Sequence, residues 1–323
     1  MKRSLWVLSL VAVLALVAAG CGKKDKASEA GGIKRSDISI QVVTHGQASD
    51  PFWSVVQNGV DAAKKDLGVK VTYRSPQKFD VVSMRQLIDS AIAAKPDGLA
   101  VSIPDATALG PSVQKAVKAG IPVVTLNSGS DVSAKLGALA HVGQPEKEAG
   151  VAAGQRLKAA GVTNALCINQ EVGNAGLDQR CQGFTQGLGG KVEVVGVDLT
   201  DPTSAQSRVK NVLKSRPQVN GILTLGPTGA DPTIAALKSI GKFGKIKVGT
   251  FDLSPSVLQA VQKGDLLFAV DQQQFLQGYL PVQMLTLYAQ LGLRPVGQVK
   301  TGPGFVTKAN AAKAIKLTKE GLR

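Results

Sequence analysis

The chain has 323 residues, a formal net charge of +15 and 44% hydrophobic residues. That length is typical of two domains rather than one, and the hydrophobic content is sufficient for two cores. The basic residues are spread singly along predicted helices, with no arginine-rich block and no helix-turn-helix pattern. The charge therefore indicates solvated helix faces and does not favour nucleic acid as a partner.

The first 20 residues are typical of an export signal, because Lys2 and Arg3 precede an apolar stretch over residues 5–19 that ends in small residues. This stretch is shorter than the roughly 20 residues of a membrane-spanning helix. Small residues running into Cys21 resemble a bacterial lipobox, which predicts cleavage before Cys21 and attachment of lipid to its thiol. The alternative is an ordinary signal peptide with an incidental cysteine. Residues 21–36 are then a lipidated, polar tether, and we expect a protein anchored at the outer face of the cytoplasmic membrane.

From residue 38 onwards, short β-rich runs alternate with amphipathic stretches, which favours parallel sheets covered by helices. Apolar residues at helical spacing define the helices, and Gly68 and Gly120 end two of them. The first set of predicted strands covers residues 38–44, 69–73, 98–103 and 121–126, with helices over residues 52–67, 84–92 and 111–119.

A second set of elements begins near Gln144. Its predicted strands cover residues 165–168, 192–197, 221–225, 248–251 and 266–270, and its helices residues 146–160, 177–187, 205–215, 233–240 and 256–262. A longer helix over residues 275–291 follows, and the tail from residue 299 is a short extended piece and a final helix.

Two successive arrays without a long linker predict an α/β protein of two Rossmann-like lobes, joined by a hinge that the chain crosses several times. The expected first lobe comprises residues 37–142 and 273–302. The expected second lobe comprises residues 143–272 and 303–323.

The cysteines other than Cys21 predict a disulfide. Cys167 and Cys181 lie in a chain expected in an oxidising compartment, where an even pair favours a bond. It would close a loop of 14 residues and stabilise the fold by about 3 kcal/mol on the chain-entropy model. The alternative is two buried free thiols. A zinc site is not expected, because His45 and His141 lie far from both cysteines in the sequence, and we predict no metal or other cofactor.

Aromatic residues follow the first predicted strand. Ligands of parallel sheets bind beyond the carboxyl ends of the strands. After the first strand come His45 and then Asp50, which can cap the helix that Pro51 begins. Phe52 and Trp53 are adjacent and cannot share one helix face, so at least one ring is expected to face a cleft, where it can stack on a sugar. The alternative is one core ring and one rim ring.

Polar residues follow three further strands, as Asn127 and Ser128, as Asp252, and as Asp271 and Gln272. Their amide and carboxylate groups can form paired hydrogen bonds with vicinal hydroxyls. A lone polar residue at such a place is usually only a helix cap. The recurrence at matching places predicts one site for a hydroxylated small molecule.

Several segments resemble the bacterial type I periplasmic sugar-binding proteins, the ribose-binding-like group that serves ABC importers. The resemblance covers roughly residues 38–310. The segments are Asp50-Pro51-Phe52-Trp53, similar to Asn-Pro-Phe-Phe; residues 121–127, similar to Ile-Pro-Val-Ile-Thr-Leu-Asp; the lobe-crossing residues 142–150; residues 180–184, similar to Arg-x-x-Gly-Phe; and residues 249–252, similar to Gly-Phe-Asp. Each segment alone is weak evidence, but the occurrence of all of them in the same order as in the family is strong evidence. The resemblance implies the type I periplasmic binding protein fold.

The resemblance also implies roles for individual residues. Phe52 and Trp53 would flank the ring and Asp50 would bind a hydroxyl. Arg180, Asp252 and Gln272 would bind from the second lobe. A single helical arginine is otherwise more often a surface ion-pair partner. Weaker candidates near the same rim are His45, Gln144 and Asn174.

Three departures from the family's sequence pattern bear on the ligand. Asn127 and Ser128 stand where ribose-binding relatives carry Asp-Arg, and Asp50 replaces the usual Asn. Gly226 and Pro227 stand where a ligand Asn often lies, so that contact is absent or shifted. These differences favour another pentose, a hexose or a polyol over ribose.

We therefore expect an extracytoplasmic, monomeric solute-binding lipoprotein that delivers a neutral monosaccharide or polyol to an ABC permease. An enzyme is not expected, because there is no Gly-x-Ser-x-Gly and no glycine-rich phosphate loop after the first strand. The export signal occupies the place of the DNA-binding domain of a LacI-type repressor. The alternatives are a ligand-sensing lipoprotein for a chemoreceptor or sensor kinase, and a binding protein for a nucleoside or amino acid.

Overall fold

The computed structural model describes residues 33–47 and 50–323. The predicted export signal, the lipidation of Cys21 and most of the tether lie outside the described residues. Among the residues that are described, no helix has the length and apolar character needed to cross a bilayer.

The first sheet has six parallel strands, and the elements that pack on it are called the first lobe. The strands lie side by side as β2 (Lys70–Arg74), β1 (Ser39–Val43), β3 (Gly98–Val101), β4 (Val123–Leu126), β5 (Ala140–Gly143) and β11 (Gly297–Lys300). The central strands read as short apolar runs because helices cover both faces of the sheet.

Helices cover the two faces of the first sheet in pairs. On one face, α1 (Pro51–Leu67) and α9 (Gln274–Leu291) pack on Val42 and Val124. On the other, α2 (Val81–Ala93) and α3 (Ala106–Lys118) pack on Val43. Neighbouring residues of one strand thus enter different cores, as the alternation of side chains along a strand requires.

The second sheet repeats this order, and its elements are called the second lobe. Its strands are β7 (Lys191–Gly196), β6 (Asn164–Asn169), β8 (Gly221–Thr224), β9 (Lys247–Phe251), β10 (Phe268–Asp271) and an antiparallel edge strand, β12 (Gly304–Val306). One face packs on α4 (Glu146–Ala159) and α5 (Ala175–Leu188), and the other on α6 (Pro202–Ser215), α7 (Pro227–Ser239), α8 (Pro255–Lys263) and α10 (Ala311–Lys319).

The chain passes between the two sheets three times. β5 belongs to the first sheet and β6 to the second, α9 returns to the first lobe after β10, and β11 and β12 lie in different sheets. The predicted α/β class with two parallel-sheet lobes is confirmed. The residue boundaries predicted for the lobes stay a prediction.

Three element predictions are wrong in detail. Strand β5 was not expected, because its four residues include His141 and lack a long apolar run. Helix α3 begins at Ala106 rather than residue 111, because Asp105 caps it by accepting a hydrogen bond from the Ala108 N–H at 2.9 Å. Helix α7 begins at Pro227 rather than residue 233, and this proline occupies the first turn, where its missing N–H costs little.

Candidate functional site

A pocket lies between the lobes, at the carboxyl ends of strands from both sheets. It includes every predicted site residue except Ser128, Gln144, Asn174 and Asp271. The described residues that line it are His45, Asp50, Phe52, Trp53, Asn127, Gln170, Glu171, Leu177, Arg180, Leu225, Gly226, Pro227, Asp252 and Gln272. The structure thus brings together residues that are more than 200 positions apart in the chain.

The first lobe contributes an aromatic wall, formed by His45, Phe52 and Trp53. Asp50 caps α1 as predicted, by accepting a hydrogen bond from the Phe52 N–H at 2.9 Å. The cap places both rings in the first helical turn, where their centroids lie 5.0 Å apart in an edge-to-face arrangement. Both rings line the pocket and also pack on the core of the first sheet, so neither is only a core ring or only a rim ring.

The position of Trp53 depends on Gly46. A Cβ atom at this position would overlap the indole ring, so the glycine permits the ring to lie directly on the backbone. The imidazole of His45 contacts the same indole edge-to-face at 4.7 Å between centroids. The aromatic wall is therefore held in place by packing on both of its sides.

His45 also joins the two lobes beside the pocket. Burial lowers the pKa of His45 to about 3, so the ring is neutral. Its Nδ1 lies 2.8 Å from Ser102 Oγ, and its Nε2 lies 3.3 Å from the side-chain nitrogen of Asn174, which the hydrogen-bond network assigns as the donor. Asn174 caps α5, and the neighbouring Ala175 N–H donates to the Pro104 carbonyl of the first lobe at 2.9 Å. The lobes are therefore in direct contact here.

The second lobe contributes a polar wall, formed by Gln170, Glu171, Arg180, Asp252 and Gln272. Arg180 is 3% exposed, which excludes the alternative of a surface ion pair. Its guanidinium donates two hydrogen bonds to Glu146, at 2.6 and 2.9 Å, and one to the Leu225 carbonyl at 3.0 Å. It also lies 3.5 Å from Asp252 and stacks on the Phe251 ring. Arg180 is thus held in place by contacts within the protein.

Close packing of α4 against α5 makes the Arg180–Glu146 pair possible. Gly183 and Gly187 of α5 lie against the α4 backbone, and Gly150 of α4 lies against the Arg180 carbonyl; a Cβ atom at any of the three would overlap backbone. The predicted disulfide is confirmed: Cys167 of β6 is bonded to Cys181 of α5, directly after Arg180.

A chain of hydrogen bonds connects Asn127 of the first lobe to the polar wall through the hinge. Ser128 donates to Asn127 at 3.0 Å, and Asn127 donates to Gln277 at 3.0 Å. Gln277 donates to Gln272 at 2.9 Å, and Gln272 donates to Asp252 at 2.6 Å. Ser128 therefore supports Asn127 rather than lining the pocket itself.

Asn127 and Asp252 occupy matching positions in the two lobes. Each follows the fourth strand of its sheet and adopts a left-handed backbone conformation, with φ of 60° and 63°. Their N–H groups donate at 2.9 Å to the carbonyls of Val142 and Val270, at the ends of the neighbouring strands. Asn and Asp tolerate this conformation better than most residues. Strained backbone of this kind is concentrated at functional sites.

The acidic groups of the pocket are strongly desolvated. Burial raises the pKa of Asp50 to about 6 and the pKa of Glu171 to about 7. Burial also raises the pKa of Asp252 to about 7, against the effect of the Arg180 charge. Carboxyl oxygens in such surroundings are strong acceptors for hydroxyl groups, because no water competes for them.

Several residues at the site were not predicted, namely Leu177, Leu225, Glu146, Gln170, Glu171 and Gln277. Gln170 and Glu171 follow strand β6, so the polar-after-strand pattern that identified Asp252 would also have found them. The Gln170 amide lies where a side chain at position 226 would project, and its Oε1 has no hydrogen-bond partner among the described residues. The Gln170 amide thus fills the space that a side chain at position 226 would occupy. Gln277 lies within the apolar helix α9, where no pattern distinguishes it. The weaker candidate Gln144 does not line the pocket but donates to Glu146 at 2.9 Å.

Residues 40–293 match the family described as the periplasmic binding protein domain, and the chain belongs to that family. The predicted resemblance is therefore confirmed. Members of this family are extracytoplasmic substrate-binding proteins, and the two-sheet architecture described above is that of the type I periplasmic binding protein fold.

Individual relatives agree with this assignment. A carbohydrate transporter protein from Acidothermus cellulolyticus 11B, solved in complex with myo-inositol, is 38% identical with a TM-score of 0.84, covering 89% of this chain and 100% of that one. A periplasmic sugar-binding protein from Legionella pneumophila is 30% identical with a TM-score of 0.76, covering 82% and 99%. A xylose/arabinose-binding protein from Sulfolobus acidocaldarius is 27% identical, covering 81% of this chain and 69% of that protein.

Proposed function

We propose that this chain is the solute-binding component of an ABC importer and that it encloses a monosaccharide or a cyclic polyol between its lobes. The observation that carries the proposal is the pocket itself, in which rings from one lobe oppose amide, carboxyl and guanidinium groups from the other. Aromatic rings can stack on the C–H face of a sugar or cyclitol, and the polar groups can form hydrogen bonds with its hydroxyls. The myo-inositol bound to the 38% identical relative has both features.

The charges of the pocket favour a neutral guest. An amino acid or sugar acid needs a cation for its carboxylate, but the guanidinium of Arg180 is already occupied by Glu146. Asp50, Glu171 and Asp252 add acidic groups around the same space. An anionic ligand would therefore be repelled.

The mechanism is closure around the ligand. Because the guest contacts both walls, it stabilises the closed arrangement by the difference between its affinities for the closed and open states. The closed protein, which acts as a monomer without enzymatic activity and is held to the membrane through Cys21, then presents the solute to its permease.

A thermal-shift screen tests the proposal. Residues 33–323 form one compact unit and can be produced without the leader. We expect the melting temperature to rise with the logarithm of ligand excess for at least one of myo-inositol, D-xylose, L-arabinose, D-glucose and xylitol, supplied at about 10 mM. The proposal fails if pentoses, hexoses, inositols and alditols all leave the melting temperature unchanged.

A further inference from the structure

The end of the first lobe opposite the pocket carries an unusual surface. The pocket residues follow the carboxyl ends of the strands, whereas residue 33, where the tether joins the fold, lies just before the amino end of β1. The connection between α9 and β11 reaches the same edge, because parallel strands all begin there. We call the surface formed by residues 33–35 and 291–296 the tether edge.

Four large apolar side chains are exposed at the tether edge. Ile33 is 38% exposed, Leu291 57%, Leu293 59% and Val296 94%. The tether enters beside them, because Arg35 donates a hydrogen bond to Gln290 at 3.1 Å, in the last turn of α9. Apolar side chains grouped on an exposed loop usually mark a contact with something else.

Basic residues surround these apolar side chains. Lys34, Arg35 and Arg294 are all exposed, and Asp37 is the nearest acid in the sequence. Other connections that reach the same edge of the sheet add Lys64, Lys65 and Lys70 and one exposed acid, Asp66. The combination of exposed apolar side chains with a basic surround fits a bilayer that contains anionic lipid.

The second lobe provides an internal comparison. Its corresponding edge is as basic, with Lys158, Lys214, Arg216, Lys238, Lys245 and Lys247 on its helix-to-strand connections. Lysines at helix ends are common, because they interact favourably with the helix dipole. Yet none of these connections, all of which the structure describes, carries an exposed large apolar residue. Helix capping therefore accounts for the charges of both edges but not for Leu291, Leu293 and Val296.

We propose that the tether edge is a membrane-contact surface that binds an anionic phospholipid bilayer. The proposal rests on the proposed function in one respect, which is the lipid attached to Cys21. Only residues 22–32 separate that cysteine from the fold, so the edge stays within roughly 40 Å of the membrane. The lipid holds the edge near the bilayer, and a basic apolar surface beside it adds a second contact that orients the protein on the membrane. Contact through this edge leaves the pocket, at the other edge of the sheet, accessible to solute.

Vesicle co-sedimentation of the chain from residue 21 onwards, carrying Cys21→Ser so that no lipid is attached, tests the proposal. We expect binding to phosphatidylcholine vesicles that contain about 30% phosphatidylglycerol, and little binding to pure phosphatidylcholine. Salt at about 0.5 M should weaken it, because exposed charges are then screened. Leu293→Ser with Val296→Ser should reduce the partition coefficient by at least about tenfold, and Arg294→Glu by at least about fivefold.

The matched control changes two exposed valines elsewhere. Val82 and Val194 are 59% and 54% exposed and lie outside the tether edge, so Val82→Ser with Val194→Ser should bind vesicles like the parent chain. The proposal is overturned if the parent chain does not bind anionic vesicles, or if the two double variants lose vesicle binding to the same extent. It is also overturned if the effect of Leu293→Ser with Val296→Ser is to abolish self-association of the protein. Sugar affinity should be the same in all variants, so failure here is distinct from failure of the proposed function.

Discussion

The two walls of the pocket are built in different ways. The aromatic wall is an extension of a hydrophobic core, since Phe52 and Trp53 pack on the first sheet and merely present their rings to the pocket. The polar wall is an electrostatic cluster, in which Arg180 is oriented by Glu146 behind it and Asp252 receives hydrogen bonds from Gln272 and Arg180.

This difference predicts different sensitivities. Loss of a ring removes contact area and leaves the rest of the wall in place. Loss of one charge leaves its partner buried and unpaired, which is far more costly. The polar wall should therefore be the fragile one, and residues behind it should matter as much as residues that touch the guest.

The largest expected effect belongs to Glu146, which does not line the pocket. Glu146→Gln leaves the Arg180 guanidinium without its main counter-charge, so affinity for the best ligand of the screen should fall by at least about 100-fold. Isothermal titration calorimetry measures this loss. Glu148→Gln is the matched control, because Glu148 is on the same helix but exposed and paired with Lys300. Equal affinities of the two variants would mean that Arg180 is positioned without Glu146.

The disulfide supports the polar wall by fixing α5 to β6. Replacing Cys167 and Cys181 together by alanine should lower the free energy of unfolding by about 3 kcal/mol, because the 14-residue loop is then unconstrained in the unfolded chain. Calorimetry should show a melting temperature roughly 5–10 °C lower. Parent protein treated with a reducing agent should have the same melting temperature as the double variant. If reduction leaves the melting temperature of the parent unchanged, the disulfide contributes no stability.

The aromatic wall should be more tolerant. Phe52→Ala should lower ligand affinity by about tenfold to 100-fold, through lost ring contact, and also lower stability, since Phe52 is part of a core. Phe305→Ala is the control, because Phe305 packs on Phe268 in the second lobe, away from the pocket lining. It should lose stability but keep the affinity measured by titration. An equal loss of affinity in both would mean that Phe52 acts only through the core.

Much of the aromatic wall was predictable from sequence, and less of the polar wall. Asp50, Phe52 and Trp53 are consecutive or nearly so, and a helix start with Pro51 fixes how they project. Arg180 was found only through resemblance, because its role depends on α4, whose approach requires glycines on both helices. Glu146 and Gln277 carry no local signal, since their partners are 34 and 5 residues away and are chosen by tertiary packing.

The two successive lobes could be predicted from the alternation of strands and helices along the sequence, whereas strand β5 could not. Its four residues are recognisable only by their pairing with β4 and β11, which lies more than 150 residues further along the chain. Patterns along a sequence report local periodicity. Short strands that form only by pairing with distant neighbours therefore cannot be recognised from such patterns.

The smallest effect concerns Glu171, whose pKa burial raises to about 7 from an ordinary 4.5. Below about pH 4.5 the carboxyl is protonated in both the folded and unfolded chain, so it costs nothing there. As the pH rises towards 7, the unfolded chain releases the proton while the folded one keeps it, and the free energy of unfolding falls. Glu171→Gln cannot titrate, so it should gain about 1–3 kcal/mol relative to the parent between about pH 5 and pH 8.

Urea unfolding of both proteins across this range measures the difference. His45 and His141, whose pKa values burial lowers, have the opposite pH dependence, but they titrate in both proteins and largely cancel. Glu193→Gln on the exposed side of β7 is the control, because Glu193 is half exposed and paired with Arg216. This substitution removes an exposed charge rather than a desolvated one, so it should not stabilise the protein. A flat curve for Glu171→Gln would mean that Glu171 is hydrated, and that the polar wall is more open to water than its burial indicates.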